Sequence, residues 1–151
     1  MSTIVQGADY RALYFGERES KATGTLASST VSLFTVSGGR VALTSIYGVV
    51  DTAVTVANTY KLQFNPTTGT TVDLVAERDI GTTDTAAGEL LGFTGDAGGA
   101  VLSIGGAVET LRAPIVLAAG DIESVSTGTD GAITWVVTWV PLDDGASMAA
   151  A

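Results

Sequence analysis

The residues of this chain whose types could take part in catalysis or metal binding are its 16 carboxylates, and eight of them lie in segments typical of turns. They are Asp79, Asp84, Asp96, Asp121, Glu123, Asp130, Asp143 and Asp144. A turn carboxylate ordinarily accepts hydrogen bonds from nearby backbone N–H groups. A calcium site needs roughly six to eight oxygen ligands, and the sequence has no D-x-D-x-D-G loop. We therefore expect no metal ion and no cofactor. If a metal did bind, Asp143 with Asp144, or Asp121 with Glu123, would be the candidate ligands.

Histidine and cysteine are both absent from the chain. Their absence excludes Ser-His-Asp catalysis, thiol nucleophiles, disulfides and zinc sites with thiolate ligands. The glycine-rich stretches around Gly38, Gly98 and Gly105 do not match a phosphate-binding motif, so they predict turns. A glycosidase with two carboxylates stays open, because separation in space cannot be read from sequence. We expect that the protein is not an enzyme.

Two tryptophans stand in the segment with the clearest alternation. In this segment Thr134 and Thr138 alternate with apolar residues that would share the other face. The apolar residues are Ile133, Trp135, Val137 and Trp139. This pattern predicts a core strand, since two indole rings bring a large apolar area to one face. The alternative is an exposed aromatic pair that binds a sugar or another ligand.

Residues 34–50 are the stretch around which the predicted sheet is organised. Two β-rich runs meet at Gly38 and Gly39, which predicts a hairpin. In the second run the residues predicted to face the core are Val41, Leu43, Tyr47 and Val49. Ile46 and Val50 are then predicted on the outer face, which carries little charge. They are candidate contacts for a second sheet or a neighbouring subunit.

A second hairpin is predicted from residues 60–64 and 71–77, which alternate on either side of a turn at residues 65–69. Along the chain we count about seven to nine strands with turn signals between them and no convincing crossover helix. This pattern predicts an all-β fold, an antiparallel β-sandwich or jelly roll.

The domain organisation is predicted as an N-terminal arm at 1–22, a β-sandwich domain at 23–145 and a C-terminal tail at 146–151. Within the arm, Tyr10, Tyr14 and Phe15 are costly to leave in water, so they are candidate interface residues. One hypothesis is that the arm packs on a neighbouring subunit. The alternative is a frayed terminus or a short helix that closes the end of the barrel.

The charge of the chain bears on its partners. The net charge is −9, and the seven Lys and Arg residues form no cluster, so we expect no nucleic-acid partner. The sequence shows no secretory signal and no apolar run of roughly 18–20 residues, so we expect no membrane association. Only 15% of residues are charged, which suits a small β domain or one whose surface is partly covered by other subunits.

Three stretches resemble a family of small virion proteins of tailed bacteriophages that are encoded among the head genes. They are LFTVSGGRVALTSIYGVV at 33–50, NPTTGTTVDL at 65–74 and ITWVVTWVPLDDGA at 133–146. The last is the most specific, and none is a catalytic motif. The resemblance covers most of the chain from about residue 30, so it does not reach the arm.

This resemblance implies a capsid decoration, or cement, protein of jelly-roll type. Such a protein binds the phage major capsid protein on the outer face of the head and acts as a homo-oligomer, more often a trimer than a dimer. It would be made in the host cytoplasm and act in the virion. The competing hypothesis is a receptor- or carbohydrate-binding module of a tail fibre or spike, suggested by Trp135 and Trp139.

Overall fold

The chain folds into two β-sheets with one short helix at its N-terminal side. The computed structural model describes residues 6–94 and 101–151. Within these ranges the elements are α1 (Gly7–Phe15), β1 (Glu17–Thr25), β2 (Ser29–Ser37), β3 (Val41–Thr52), β4 (Thr59–Pro66), β5 (Val72–Asp79), β6 (Leu90–Thr94), β7 (Val101–Gly105), β8 (Ile115–Leu117), β9 (Gly120–Ser126), β10 (Ala132–Pro141) and β11 (Ser147–Ala150). The all-β class is confirmed. Residues 1–5 of the expected arm, Asp96 and Gly98 lie outside the described residues.

The strands form two antiparallel sheets that are joined along one side. Sheet A has the order β1-β10-β3-β6-β7, with β8 also paired to β3, and sheet B has the order β11-β2-β9-β4-β5. A single parallel pair, Ala76 with Val101, connects β5 to β7. On the other side of the molecule β1 lies beside β2 and β11. The described ranges hold eleven strands, more than the seven to nine expected, because β1, β8 and β11 are short or poor in apolar residues.

The core lies between the sheets and is one continuous apolar cluster. At its centre Trp135 of sheet A and Tyr60 of sheet B are both fully buried. Their rings lie nearly parallel, at 9° with centroids 6.1 Å apart, and the Trp135 Nε1–H donates to the Tyr60 hydroxyl at 2.7 Å. The strand predicted around the two tryptophans is confirmed as β10, with Ile133, Trp135, Val137 and Trp139 buried. A hydrogen-bonded aromatic pair thus connects the two layers.

The predicted hairpin at Gly38 and Gly39 is wrong. The runs on either side are β2 and β3, and they belong to different sheets. Both glycines have positive φ, and a Cβ on Gly38 would overlap the backbone of Gly145. The Arg40 guanidinium donates two hydrogen bonds to the Asp143 carboxylate, at 2.7 and 2.8 Å. The glycines therefore form a corner, packed against the turn after β10, by which the chain crosses from sheet B to sheet A.

By contrast, the predicted hairpin of β4 and β5 is confirmed.

A β-bulge interrupts β3 at Thr44. Leu43 pairs with Trp139 and Ser45 pairs with Thr138, so Thr44 has no partner on β10. The hydroxyls of Thr44 and Ser45 both hydrogen-bond Thr138 Oγ1, at 2.7 and 2.8 Å. Two consecutive residues of β3 thus present their side chains to the same outer face, as a bulge allows.

The bulge reverses the faces predicted for the second half of β3. Ile46 and Val50, which were predicted to face outward, are each 1% exposed in the core. Tyr47 and Val49, which were predicted to face inward, lie partly exposed on the outer side. The prediction failed because strict alternation was carried through a position where the strand contains an extra residue.

Both ends of the described chain contain strands that the sequence did not indicate. The expected boundary between arm and domain falls inside β1, which pairs with β10 from Glu17 to Thr25. The segment expected as a tail contains β11, which pairs with β2 and buries Met148. Neither strand has a run of β-branched or aromatic residues. Both segments are therefore extended because their backbones pair with a neighbouring strand, and not because of their own sequence.

Substitution of Tyr60 by Phe tests the connection between the sheets. The change leaves the buried Trp135 N–H without its acceptor, and we expect a loss of about 1–3 kcal/mol in the free energy of unfolding. Denaturant unfolding measures it. Tyr47→Phe is the matched control, since its side chain is partly exposed, and it should change the free energy by less than about 0.5 kcal/mol. Equal effects of the two variants would contradict a special role for the buried pair.

Candidate functional site

Helix α1 exposes more large apolar side chains than any other element of the described chain. Tyr10, Leu13, Tyr14 and Phe15 are 66%, 84%, 77% and 57% exposed, and no residue of the helix is buried. Tyr10, Leu13 and Tyr14 share one face of the helix, since they are spaced by three and four residues. Phe15 lies beside them, with its ring packed edge-to-face on Tyr14 at 4.9 Å. A row of large apolar side chains on a helix is normally buried, and within the described chain nothing covers this one.

Local sequence explains where α1 begins and ends. The Asp9 carboxylate accepts a hydrogen bond from the Gln6 backbone N–H at 3.1 Å, which stabilises the first turn. Gly16 ends the helix with φ 94° and ψ −175°, a conformation that is essentially confined to glycine. A Cβ on Gly16 would also overlap the carbonyl oxygen of Trp139. Only glycine thus lets the chain leave the helix and lie directly against β10.

One side-chain hydrogen bond attaches the end of α1 to sheet A. The hydroxyl of Thr44, the bulge residue of β3, donates to the backbone carbonyl of Phe15 at 2.8 Å. This carbonyl is one of those that a helix C-terminus leaves without an intrahelical partner. The bulge therefore positions the helix as well as shifting the faces of β3.

An apolar row on the outer face of sheet A continues from the helix. Strand pairing places Val140, Ala42 and Val116 side by side on three neighbouring strands. Val140 is 40% and Val116 61% exposed, and Leu142, just after β10, is 51% exposed. Grooves of about 440 and 460 Å³ run along two sides of α1, both lined by Phe15 and Thr138.

We call this region the α1 surface. It consists of Tyr10, Leu13, Tyr14, Phe15, Val116, Val140 and Leu142. These are seven of the nine large apolar side chains that are exposed among the described residues, and the other two are Val56 and Val72. Exposed apolar residues are normally scattered over a surface, so their concentration here makes the α1 surface the candidate functional site of the described chain.

Three of the five residues predicted to form an interface, Tyr10, Tyr14 and Phe15, are exposed together on α1. Their role in an interface stays a prediction. Ile46 and Val50 do not join them, because the bulge places both in the core. Leu13 was not predicted as a site residue, although its spacing of three from Tyr10 indicates that both lie on one helix face. Nothing in the sequence indicates that Val116, Val140 and Leu142 belong to the same surface, because their proximity depends on strand pairing and on the course of the chain beyond β10.

The hypothesis of an exposed tryptophan pair is wrong. Trp135 is 0% and Trp139 3% exposed. Both rings face the core, so neither can stack on a sugar. Burial also raises the pKa of the Tyr60 phenol, which keeps the hydroxyl beside Trp135 neutral.

Three of the four carboxylates proposed as possible metal ligands, Asp121, Glu123 and Asp143, accept hydrogen bonds from the protein. Asp121 and Glu123 lie on the outer face of sheet B. Asp121 accepts from the Thr35 hydroxyl at 2.6 Å, and Glu123 accepts from the side-chain amides of Gln63 at 2.7 Å and Asn65 at 3.2 Å. Cross-strand pairs of this kind stabilise a sheet. Among the described residues no three acidic side chains are grouped so that they could hold a metal ion.

Asp143 is bound by a cation, whereas its neighbour Asp144 is exposed. The Arg40 guanidinium and backbone N–H donate to Asp143 and lower the pKa of its carboxyl to about 2. The carboxylates of Asp79 and Asp130 accept hydrogen bonds from loops at the end of the sandwich. Hydrogen bonds from the Thr82 hydroxyl and from backbone N–H groups lower the pKa of Asp79, and a backbone N–H and hydroxyl of Thr55 lower that of Asp130.

Comparisons of the chain with protein-family models, with curated proteins and with solved structures find no match. Within the described ranges, no helix has the length and apolar character needed to cross a membrane. The α1 surface is therefore the feature on which a functional interpretation depends.

The depressed pKa of Asp143 predicts a loss of stability in acid. A carboxyl whose pKa is lower in the folded state stabilises the fold above its unfolded pKa of about 4 and loses that contribution as the pH falls toward about 2. Asp143→Asn should lower stability at neutral pH and flatten its pH dependence in this window. Asp144→Asn is the control and should follow the wild-type curve in thermal unfolding from pH 7 to 2. Parallel curves for wild type and Asp143→Asn would contradict the role given to Asp143.

Substitution of Gly16 by Ala tests how α1 is held. The backbone conformation of Gly16 costs other residues of order 1–3 kcal/mol. Because α1 has few contacts with the sheets, we expect the helix to open and the sandwich to stay folded. Hydrogen exchange of the α1 amides should accelerate roughly tenfold or more, since 1.4 kcal/mol is a factor of ten. Gly7→Ala, where a Cβ meets nothing within 4 Å, should not accelerate it. Unchanged exchange in Gly16→Ala would show that other contacts fix the helix.

Proposed function

We propose that this protein is a structural assembly protein, and specifically a decoration protein that binds the outer surface of a bacteriophage head and stabilises its capsomer lattice. The observation that carries the proposal is the α1 surface, a concentrated apolar area on a β-sandwich. The resemblance of residues 33–50, 65–74 and 133–146 to phage virion proteins supplies the biological setting. Its localisation would be the virion, and its partner the major capsid protein.

The strand connectivity supports the jelly-roll architecture that this proposal includes. β1 pairs with β10, β2 with β9, β3 with β6, and β4 with β5. These pairs are nested, so the chain from β1 to β10 follows the path of one long hairpin that is folded over. Successive pairs alternate between sheet A and sheet B. A jelly roll is a two-sheet fold of this kind, and it recurs in viral capsid proteins.

The distribution of polar groups also favours an assembly role over catalysis. Asp79, Asp130 and Asp143 hold loops and a corner in place, and Glu123 bonds side chains of its own sheet. Each of these carboxylates has a structural use, and hydrogen bonds lower the pKa of Asp79, Asp130 and Asp143. A general acid, by contrast, needs a pKa raised toward neutrality.

The proposed assembly is a homo-oligomer, with a trimer favoured and a dimer as the alternative. Decoration of a symmetric lattice suits a closed oligomer, since its axis can coincide with a local symmetry axis of the capsid.

Binding to phage heads tests the function directly. Heads assembled without this protein should bind the purified wild-type chain and carry it through sedimentation, and they should then resist heat or chelator-induced rupture better than undecorated heads. Mass spectrometry of purified virions should detect the chain. Heads that neither bind the protein nor gain stability, together with virions that lack it, would refute the proposal. Acid-unfolded protein added to the same heads is the control for non-specific adsorption.

A further inference from the structure

We propose that a second copy of this chain covers the α1 surface, with α1 of each copy seated in the groove beside α1 of another. This inference deepens the proposed function and rests on it in treating the chain as an assembly protein. It commits the α1 surface to contacts between copies, which leaves other faces to meet the capsid.

The size of the α1 surface is suited to a protein partner. With rings that bury about 150–250 Å² each, the exposed fractions of Tyr10, Tyr14 and Phe15 amount to roughly 300–500 Å². Four further exposed aliphatic residues, Leu13, Val116, Val140 and Leu142, add to this area. The largest apolar patch of a typical monomer measures ~300–600 Å², and a standard interface buries about 800 Å² on each partner. The three rings alone therefore match the largest patch of a typical monomer, and the four aliphatic side chains bring the α1 surface closer to interface size.

Charge favours a second copy as the occupant. In residues 7–25 the basic residues Arg11, Arg18 and Lys21 are balanced by Asp9, Glu17 and Glu19, so the net charge of −9 arises entirely from the rest of the chain. Two copies that meet through α1 and β1 bring together their neutral regions and keep their acidic regions apart. Arg11, Glu17 and Arg18 also line the groove of about 440 Å³, which places both signs of charge at its rim.

Shape supports the same assignment. The α1 surface combines a ridge, formed by Leu13 and the neighbouring aromatic side chains, with grooves directly alongside. A surface that carries both a ridge and a matching groove can pair with itself, so that each copy fills the groove of another and no ridge is left over. Closure around a twofold or a threefold axis satisfies this condition equally.

Light scattering across a dilution series tests the inference. The wild-type chain should have two or three times the monomer mass of 15.2 kDa. Leu13→Glu places a charge on the ridge, and Val116→Glu places one on the outer face of sheet A. Each should shift the mass toward 15.2 kDa while the circular dichroism spectrum stays that of the folded chain, because the two side chains are 84% and 61% exposed.

Val72→Glu is the matched control. Its side chain is 50% exposed on β5 of sheet B, away from the α1 surface, and the substitution makes the same change of charge. This variant should keep the wild-type mass. A wild-type protein that is monomeric up to its solubility limit would overturn the inference, as would an oligomer that withstands Leu13→Glu or dissociates equally in Val72→Glu.

The head-binding experiment separates this inference from the proposed function. Oligomers that fail to bind heads would refute the function and leave the contact between copies standing. A monomer that binds heads would refute the contact between copies and leave the proposed function standing. If hydrogen exchange at α1 then slowed on head binding, the capsid would be the occupant of the α1 surface and the inference would be wrong.

Discussion

The extra residue in β3 is the constraint on which much of this structure depends. With Thr44 unpaired, both Thr44 and Ser45 present their hydroxyls to Thr138 on the outer face. The residues of β3 from Ile46 to Val50 lie on the faces opposite to those that strict alternation gives, which brings Ile46 and Val50 into the core. The same Thr44 hydroxyl binds the last carbonyl of α1. One backbone irregularity therefore sets the composition of the core and the position of the helix, as bulges often do where a strand must redirect a side chain.

The two layers are joined by polar groups as well as by apolar packing. The hydrogen bond between Trp135 and Tyr60 satisfies two buried polar atoms at the centre of the sandwich, where unpaired groups would be costly. At the corner between the sheets, the Arg40–Asp143 pair fixes the turn after β10 against the glycines. These contacts require particular partners and so favour one alignment of the sheets, whereas apolar contact alone tolerates several.

The sequence predicted the properties that depend on local pattern. The all-β class, the β4–β5 hairpin and the buried tryptophan strand follow from alternation and turn residues, and the aromatic residues of α1 stand out by composition. Features that depend on distant parts of the chain were not predictable. Gly38 and Gly39 give the same signal in a hairpin and in a corner between sheets. The bulge leaves no signature in β3, and the row of Val116 and Val140 exists only once three strands are paired.

The side of the molecule where β1 meets β11 has a consequence for crowding. The outermost strand of sheet A carries Glu17, Arg18 and Glu19 at one end, and Lys21 donates a hydrogen bond to the backbone of Ala151, just beyond β11. Charged side chains on an edge strand make it a poor template for strand addition by another chain. Many copies can thus be held at high local density without growing into fibrils by strand addition. Association is left to side-chain surfaces, whose geometry can limit it to a closed number of subunits.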